Sequence, residues 1–257
     1  MPDTQAAQLE SLAREFPVSL AAHERRSTHY DTRGLLDIAA CRNMLDGLGP
    51  VIGSRTRPVT ASLLAKRVAF LVTGPALYAM SAYDQGLDLR MGNCITDVTH
   101  EGGLWRSHLI LKTLATDQPT PRQREPWRER VIERVFSGHL APLWMALHHA
   151  SGISSRILWE NTAVRVYSLY ERRMVKLPDC AARSRAQDDF RYLVQDAPGN
   201  LFGLSENPLK RFFFKPRSTL TSEGQPRELR VRKTCCLYFM ATEPAEYCSA
   251  CPLLHKR

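Results

Sequence analysis

The sequence lacks an uninterrupted run of about 18 apolar residues, the length needed to cross a bilayer as a helix. The nearest approach, Val68 to Met80, is broken by Gly74–Pro75 and is too short. Residues 1–16, MPDTQAAQLESLAREF, are acidic and polar and carry no apolar core of the kind an export signal needs. The expectation from these absences is a cytoplasmic protein. No glycine-rich phosphate loop follows a strand, so no bound nicotinamide or flavin is indicated. Internal repeats and low-complexity tracts are missing as well. Acidic residues are in short supply, 26 Asp and Glu against 35 Lys and Arg, a formal charge of +9. Such an excess speaks about partners rather than fold: nucleic acid, anionic head groups, an acidic electron-transfer protein or an anionic ligand.

What is present suffices for a sizeable core. The chain has 257 residues, 44% of them hydrophobic and 24% charged, a globular composition that has no need of disulfides for stability. Apolar residues at helical spacing predict a short helix over Gln5–Phe16 and another over Leu35–Leu48, closed by Gly47, Gly49 and Pro50. Pro58 fits the first turn of a further helix running to Ser81, with a break at Gly74–Pro75. Leu87–Leu111 falls into short runs separated by Gly92–Asn93 and Gly102–Gly103, which predicts two or three strands with glycine turns. Thr116–Arg124 reads as a loop.

Three more helices follow. Val131, Val135, Phe136, Leu140, Leu143 and Leu147 mark the first, opened by Pro126 and ended by Gly152. Trp159, Ala163, Val166 and Tyr170 mark the second, capped by Ser154 or Ser155; the third spans Arg183–Val194. Beyond Pro198 the chain is basic, proline-punctuated and irregular, with strand-like pieces at Arg211–Lys215 and Leu229–Lys233. The fold class is therefore α+β: a mainly helical body with a small antiparallel β element and a short irregular C-terminal region. A soft boundary separates a body over residues 1–225 from a region over 226–257.

That region holds four of the seven cysteines: Cys235, Cys236, Cys248 and Cys251. In a reducing compartment, clustered thiols are metal ligands or redox groups more often than bridges. Four thiolates suit one tetrahedral zinc ion or one [2Fe–2S] cluster. Zinc sites favour paired Cys-x(2–4)-Cys turns, and only Cys248-Ser249-Ala250-Cys251 is one. Adjacent cysteines diverge in extended backbone, so Cys235–Cys236 suits the wider spacing of a two-iron cluster. A zinc-stapled tail binding nucleic acid stays open beside it, because eight Lys or Arg against two Glu lie between Lys210 and Lys233. An iron–sulfur regulatory protein is the other alternative.

Arg232-Lys233-Thr234-Cys235-Cys236 followed by Tyr247-Cys248-Ser249-Ala250-Cys251-Pro252 resembles the C-terminal signature of the FhuF-like ferric siderophore reductases. There a Cys-Cys pair, about ten residues and a Cys-x-x-Cys turn hold a [2Fe–2S] cluster; here the spacer has eleven residues. Leu158-Trp159-Glu160-Asn161 resembles the family's Leu-Trp-Gly-Asn segment, with Glu160 where glycine is usual. The residues themselves are satisfied by a simpler reading, Trp159 as core and Asn161 in a local hydrogen bond.

The resemblance implies one-electron reduction of siderophore-bound Fe(III), of hydroxamate type, with Cys235, Cys236, Cys248 and Cys251 holding the cluster and no catalytic acid or base. It implies an external donor, a ferredoxin-like protein or a flavin reductase, and no nucleic-acid partner. Peripheral association with the inner membrane surface is compatible with it. Arg230, Arg232 and Lys233 are candidate contacts for an anionic siderophore or acidic donor. Phe212–Phe214 packs under the C-terminal region, His148–His149 ends a helix, and Cys41, Cys94 and Cys180 are expected as buried thiols.

Overall fold

The computed structural model describes residues 10–20, 26–220 and 225–255. A helical segment covers 10–15; residues 5–9 of the expected first helix lie outside the described part. The helices are α1 (Ile38–Val51), α2 (Arg57–Tyr83), α3 (Arg124–Val135), α4 (Ala141–Ser151), α5 (Ser155–Ser168), α6 (Cys180–Arg191) and the short α7 (Pro208–Phe212).

Helix α2 is the axis of the body. It is buried on nearly all sides, and α1, α3, α4, α5 and α6 all pack on it. A helix covered all round needs no polar face, which is why its apolar residues show no single stripe. The chain does not break at Gly74–Pro75: α2 runs through both. Gly74 faces the ring of Phe16, where a Cβ would come within 2.8 Å of the ring edge. The Thr73 hydroxyl donates to the Ala69 carbonyl at 2.6 Å, within the same stretch of helix. The intact helix is long and apolar enough to cross a membrane by length and composition, a length the sequence reading had excluded; 78% of its most apolar window is buried in the body.

Helix α1 also outruns its expected end. Gly49 and Pro50 lie within its last turn, and Asp37 caps its start by accepting from the Ala40 N–H at 2.7 Å. The single helix expected from Pro126 to Gly152 is α3 and α4 joined by a π turn and opens earlier, at Arg124; α5 lies where the spacing put it, and α6 starts at Cys180, ahead of the expected Arg183. Ser154 holds the N-cap position of α5 without a side-chain capping bond. Three π-helical turns, Phe136–Leu140, Leu169–Arg173 and Tyr192–Asp196, extend or join helices, a local widening with no hydropathy signature. Asp189 of α6 is fully buried and accepts from Arg124 at 2.8 Å through both oxygens and from the Ser81 hydroxyl at 2.8 Å.

The β element is small. Strands β1 (Val18–Leu20), β2 (His29–Asp31), β4 (Cys94–Asp97) and β7 (Leu109–Leu111) form one sheet in the order β1-β7-β4-β2. Its pairings are antiparallel except β1 with β7, which is parallel with Val18 opposite Leu109. Strand β3 (Gly86–Leu87) pairs with β8 (Thr116–Asp117), so the expected loop there begins with a strand. Strands β5 (His100–Glu101) and β6 (Leu104–Trp105) form a hairpin whose turn, Gly102–Gly103, has positive φ at both positions.

Near the C-terminus the strand-like pieces are displaced from their expected places. Arg211 belongs to α7, which Asn207 caps by accepting from the Leu209 and Lys210 N–H groups. The strands are β9 (Arg217–Leu220) and β10 (Pro226–Leu229), an antiparallel hairpin. From Arg230 to His255 the chain is irregular apart from a 3₁₀ turn at Tyr238–Ala241.

Candidate metal centre

The C-terminal tail lies against two helices, and polar side chains hold it there. Helix α5 presents Glu160 and Asn161, both buried. Glu160 accepts from the Lys233 N–H at 2.6 Å, from the Thr234 N–H at 2.7 Å and from the Thr234 hydroxyl. Arg232, 5% exposed, donates to the Asn161 side-chain oxygen at 2.7 Å and lies 3.8 Å from Glu160. Asn161 in turn donates to the Ser62 carbonyl and hydroxyl oxygens at 3.0 and 3.1 Å, joining α5 to α2. Asn161 is therefore no local hydrogen-bonder: it connects two helices to the tail. Trp159 is core, as expected.

Helix α2 supplies the second anchor. The Ser62 hydroxyl donates to the Cys236 carbonyl at 2.8 Å. One turn along, the Lys66 ammonium donates to the Cys236 sulfur at 3.6 Å. Behind the Cys-Cys pair the chain turns sharply at Leu237, a non-glycine residue at φ 62. The turn aims the Leu237 N–H at the Cys235 sulfur, 3.4 Å away, and the Tyr238 N–H at Cys236. This left-handed residue turns the chain back behind the pair, so that the two following N–H groups face the two sulfurs.

The Cys-x-x-Cys turn closes from below. The Cys251 N–H donates to the Cys248 carbonyl at 2.9 Å. The Arg232 N–H donates to the Ala250 carbonyl at 3.0 Å, and the Arg227 guanidinium to the Ser249 carbonyl at 3.1 Å. Cys236 and Cys251 are buried, Cys235 and Cys248 half-buried, and all four are free thiols. A hydrogen bond from the Cys248 thiol is the main influence holding Cys236 below the usual thiol range, with help from the charges of Lys66 and Arg232. The same bond and burial push Cys248 up, and burial raises Cys235.

This environment fits an iron–sulfur group. Every sulfur donor is soft, N–H and ammonium donors point at the Cys235 and Cys236 sulfurs, and the side-chain charges acting on Cys236, Lys66 and Arg232, are positive. Among the described residues no three His, Cys, Asp or Glu side chains gather tightly enough to hold a metal ion. Closing the four sulfurs onto a shared group thus requires the tail to tighten, the usual coupling of thiolate-site folding to metal loading.

Arg230, Arg232 and Lys233, the candidate contacts for ligand or donor, are committed to the protein instead. Arg230 grips Glu171 through two bonds of 3.0 and 2.9 Å, donates to the Phe214 carbonyl at 2.7 Å and lies over the rings of Tyr167 and Phe213. Lys233 donates to the Arg211 carbonyl at 2.9 Å, over the ring of Phe214. Phe213 and Phe214 thus pack beneath the tail, as expected. The His148 Nδ1–H donates to the Ile153 carbonyl at 2.6 Å, at the end of α4. Cys41 and Cys94 are buried thiols, raised by burial to about 11 and about 12. Cys180 is exposed, because it occupies the first turn of α6 beyond its cap Asp179. Sequence reasoning missed Ser62, Lys66 and Glu160 as anchors; the one visible signal was a Lys-Arg pair inside an otherwise apolar helix.

Helical body and four-sulfur tail together define the class: an iron–sulfur protein whose cofactor region is a C-terminal appendage. The sequence profile of the family described as "Ferric iron reductase FhuF-like transporter" matches residues 62–221, more than half of the chain, and the chain belongs to that family. The profile of the "FhuF 2Fe-2S C-terminal domain" matches residues 232–253, and the cofactor is a [2Fe–2S] cluster. That match displaces the zinc-tail alternative. No curated protein and no solved structure matches the chain.

Proposed function

We propose that the protein reduces siderophore-bound Fe(III) to Fe(II) in the cytoplasm, one electron at a time, with Cys235, Cys236, Cys248 and Cys251 as the cluster ligands. The observation that carries this reading is Lys66, which touches the Cys236 sulfur and lines an open cleft beside the tail. When bound, the cluster supplies a low-potential electron within reach of that cleft. Siderophore oxygens are hard donors that hold Fe(III) far more tightly than Fe(II). Each tenfold of that preference lowers the iron potential by about 59 mV, so reduction needs a strong donor and releases the metal. The spent electron is replaced by an external protein, of the ferredoxin or flavin-reductase kind.

The chain's own groups bind and orient. Glu160, Asn161 and Ser62 fix the Cys-Cys segment on α5 and α2; Lys66 holds positive charge between sulfur and cleft; Phe213 and Phe214 support the segment from below. The division into a body over 1–225 and a cluster region over 226–257 belongs to this reading, with the β9–β10 hairpin lying across it.

The test is the visible spectrum of anaerobically purified protein with iron, sulfide and zinc assayed together, repeated for Cys248→Ser and Cys251→Ser. About two iron and two sulfide per chain are expected. Both variants should lose the visible absorbance and ferric reduction while keeping the far-ultraviolet dichroism of the helical body. Full absorbance in either variant would remove that cysteine from the ligand set.

A further inference from the structure

The cleft beside the tail has a volume of about 720 Å³, the size of a small-molecule site. Helix α2 gives one wall through Lys66, Arg67 and Phe70. The β5–β6 hairpin faces it with Trp105, and Arg165 of α5 and Arg173 of the following π turn complete it. Three guanidinium groups surround a single ring: Arg67, Arg173 and Arg165 stand 5.6, 5.7 and 6.0 Å from the centre of Phe70.

These charges are only partly balanced from within: Asp97 acts on Arg67 and the Cys236 sulfur on Arg165 and Lys66. No Asp or Glu is among the described residues that line the cleft. Among the described residues, Lys66, Arg67 and Arg165 form no ion pair; only Arg173 does, at 3.7 Å from the partly exposed Glu15. Arg67 and Arg165 reach neutral partners, Ser107 and the Lys66 carbonyl. Burial, and then a neighbouring guanidinium, hold both below the usual arginine range. Keeping half-buried cations together with so little counter-charge is unfavourable; an anionic occupant supplies the rest.

We propose that this cleft is the ferric-chelate site and that it selects complexes of net negative charge. The proposal rests on the ferric-reductase reading above and revises the hydroxamate expectation. Three singly charged hydroxamates cancel the charge of Fe(III) and leave a neutral complex. Three doubly charged catecholates leave a trianion, and carboxylate or α-hydroxycarboxylate donors also leave negative charge. Aromatic catecholate rings further match a site lined by Phe70 and Trp105, with three guanidinium groups about the Phe70 ring. An occupant would lie one side chain, Lys66, from the Cys236 sulfur.

The test uses cluster-loaded protein and redox-inert gallium(III) complexes of a synthetic tris-catecholate and a synthetic tris-hydroxamate, titrated by calorimetry at two salt concentrations. The catecholate complex should bind at least about tenfold more tightly, with an affinity that falls as salt rises. Arg173→Gln, at the exposed mouth, and Arg165→Gln should each weaken the catecholate by about tenfold and leave the hydroxamate nearly unchanged. Equal affinities for the two complexes, or catecholate binding unmoved in both variants, would overturn the assignment. So would displacement of the gallium complex by duplex DNA or by anionic vesicles, which would give the charge to a macromolecule. Reduction of the matching Fe(III) complexes is followed separately. Selective gallium binding with no iron reduction would end the reductase reading and leave the cleft assigned. Iron reduction without charge selection would do the reverse.

Discussion

Glu160→Ala should detach the tail while leaving the body folded. The carboxylate accepts the N–H groups of Lys233 and Thr234 and the Thr234 hydroxyl, and it is the ion-pair partner of buried Arg232. Hydrogen bonds to a charged acceptor contribute about 1.5–3 kcal/mol each. The two N–H bonds alone, at the low end, give about 3 kcal/mol, a roughly hundredfold rise in the population with the tail released. Arg232, left buried with Asn161 alone, raises this figure further. Glu160→Gln keeps one carbonyl acceptor and should fall between, at roughly tenfold. Hydrogen exchange of the 232–251 amides, compared with those of α2, reads the effect directly; the rate of cluster loss to a ferrous chelator reads it in loaded protein. Unchanged tail exchange and cluster loss in Glu160→Ala would refute the docking argument. A uniform loss of protection through α2 would show that Glu160 supports the body rather than the tail.

Two further outcomes concern the body. Gly74→Ala should lower Tm by overpacking against Phe16, at a cost of about 1–3 kcal/mol partly offset by better helix propensity; in a Phe16→Ala background the same change should become neutral or stabilising. His139 is buried with its Nδ1 on the Leu89 carbonyl at 2.7 Å, and burial holds it below the ordinary imidazole range. The unfolded chain therefore binds the proton more readily, so this group's contribution is present above about pH 6.5 and lost as pH falls. Denaturant unfolding from pH 7 to 5 should show the decline, and His139→Gln should flatten it.

The helices and the thiol tail were legible because their signals are local. Val131 to Leu147 repeat at three and four, and four cysteines lie within seventeen residues, so neither needs knowledge of a neighbour. The errors share one cause. Gly49–Pro50 and Gly74–Pro75 read as stops, yet both helices continue, since the contact that accommodates Gly74 comes from Phe16, far away in sequence. The parallel pairing of β1 with β7 is equally remote. The protein partners of Arg230 and Arg232, read as candidate contacts for an anionic siderophore or donor, were equally invisible: Glu171, Asn161 and Glu160 lie on α5 and the turn after it. The cationic cleft was invisible for the same reason: Lys66, Arg67, Arg165 and Arg173 come from elements a hundred residues apart.

The eleven-residue spacer between Cys236 and Cys248, one longer than the family's usual length, is intelligible from where the tail is pinned. Ser62 and Lys66 fix its start through the Cys236 carbonyl and sulfur. Arg232 and Arg227 fix its end through the Ala250 and Ser249 carbonyls. Its first half is tied down too: the 3₁₀ turn at Tyr238–Ala241 presses so closely on Gly53 that a Cβ there would come within 2.8 Å of the Ala241 carbonyl oxygen. Residues 243–247, by contrast, are all exposed. An added residue in such a stretch changes loop-closure entropy by only about 0.1 kcal/mol and moves neither anchor. The spacer length is therefore the most permissive part of the signature. The demanding part is the register of Arg232 to Cys236 on α5 and α2, where a one-residue slip would carry Lys233 and Thr234 off Glu160 and Cys236 away from Lys66.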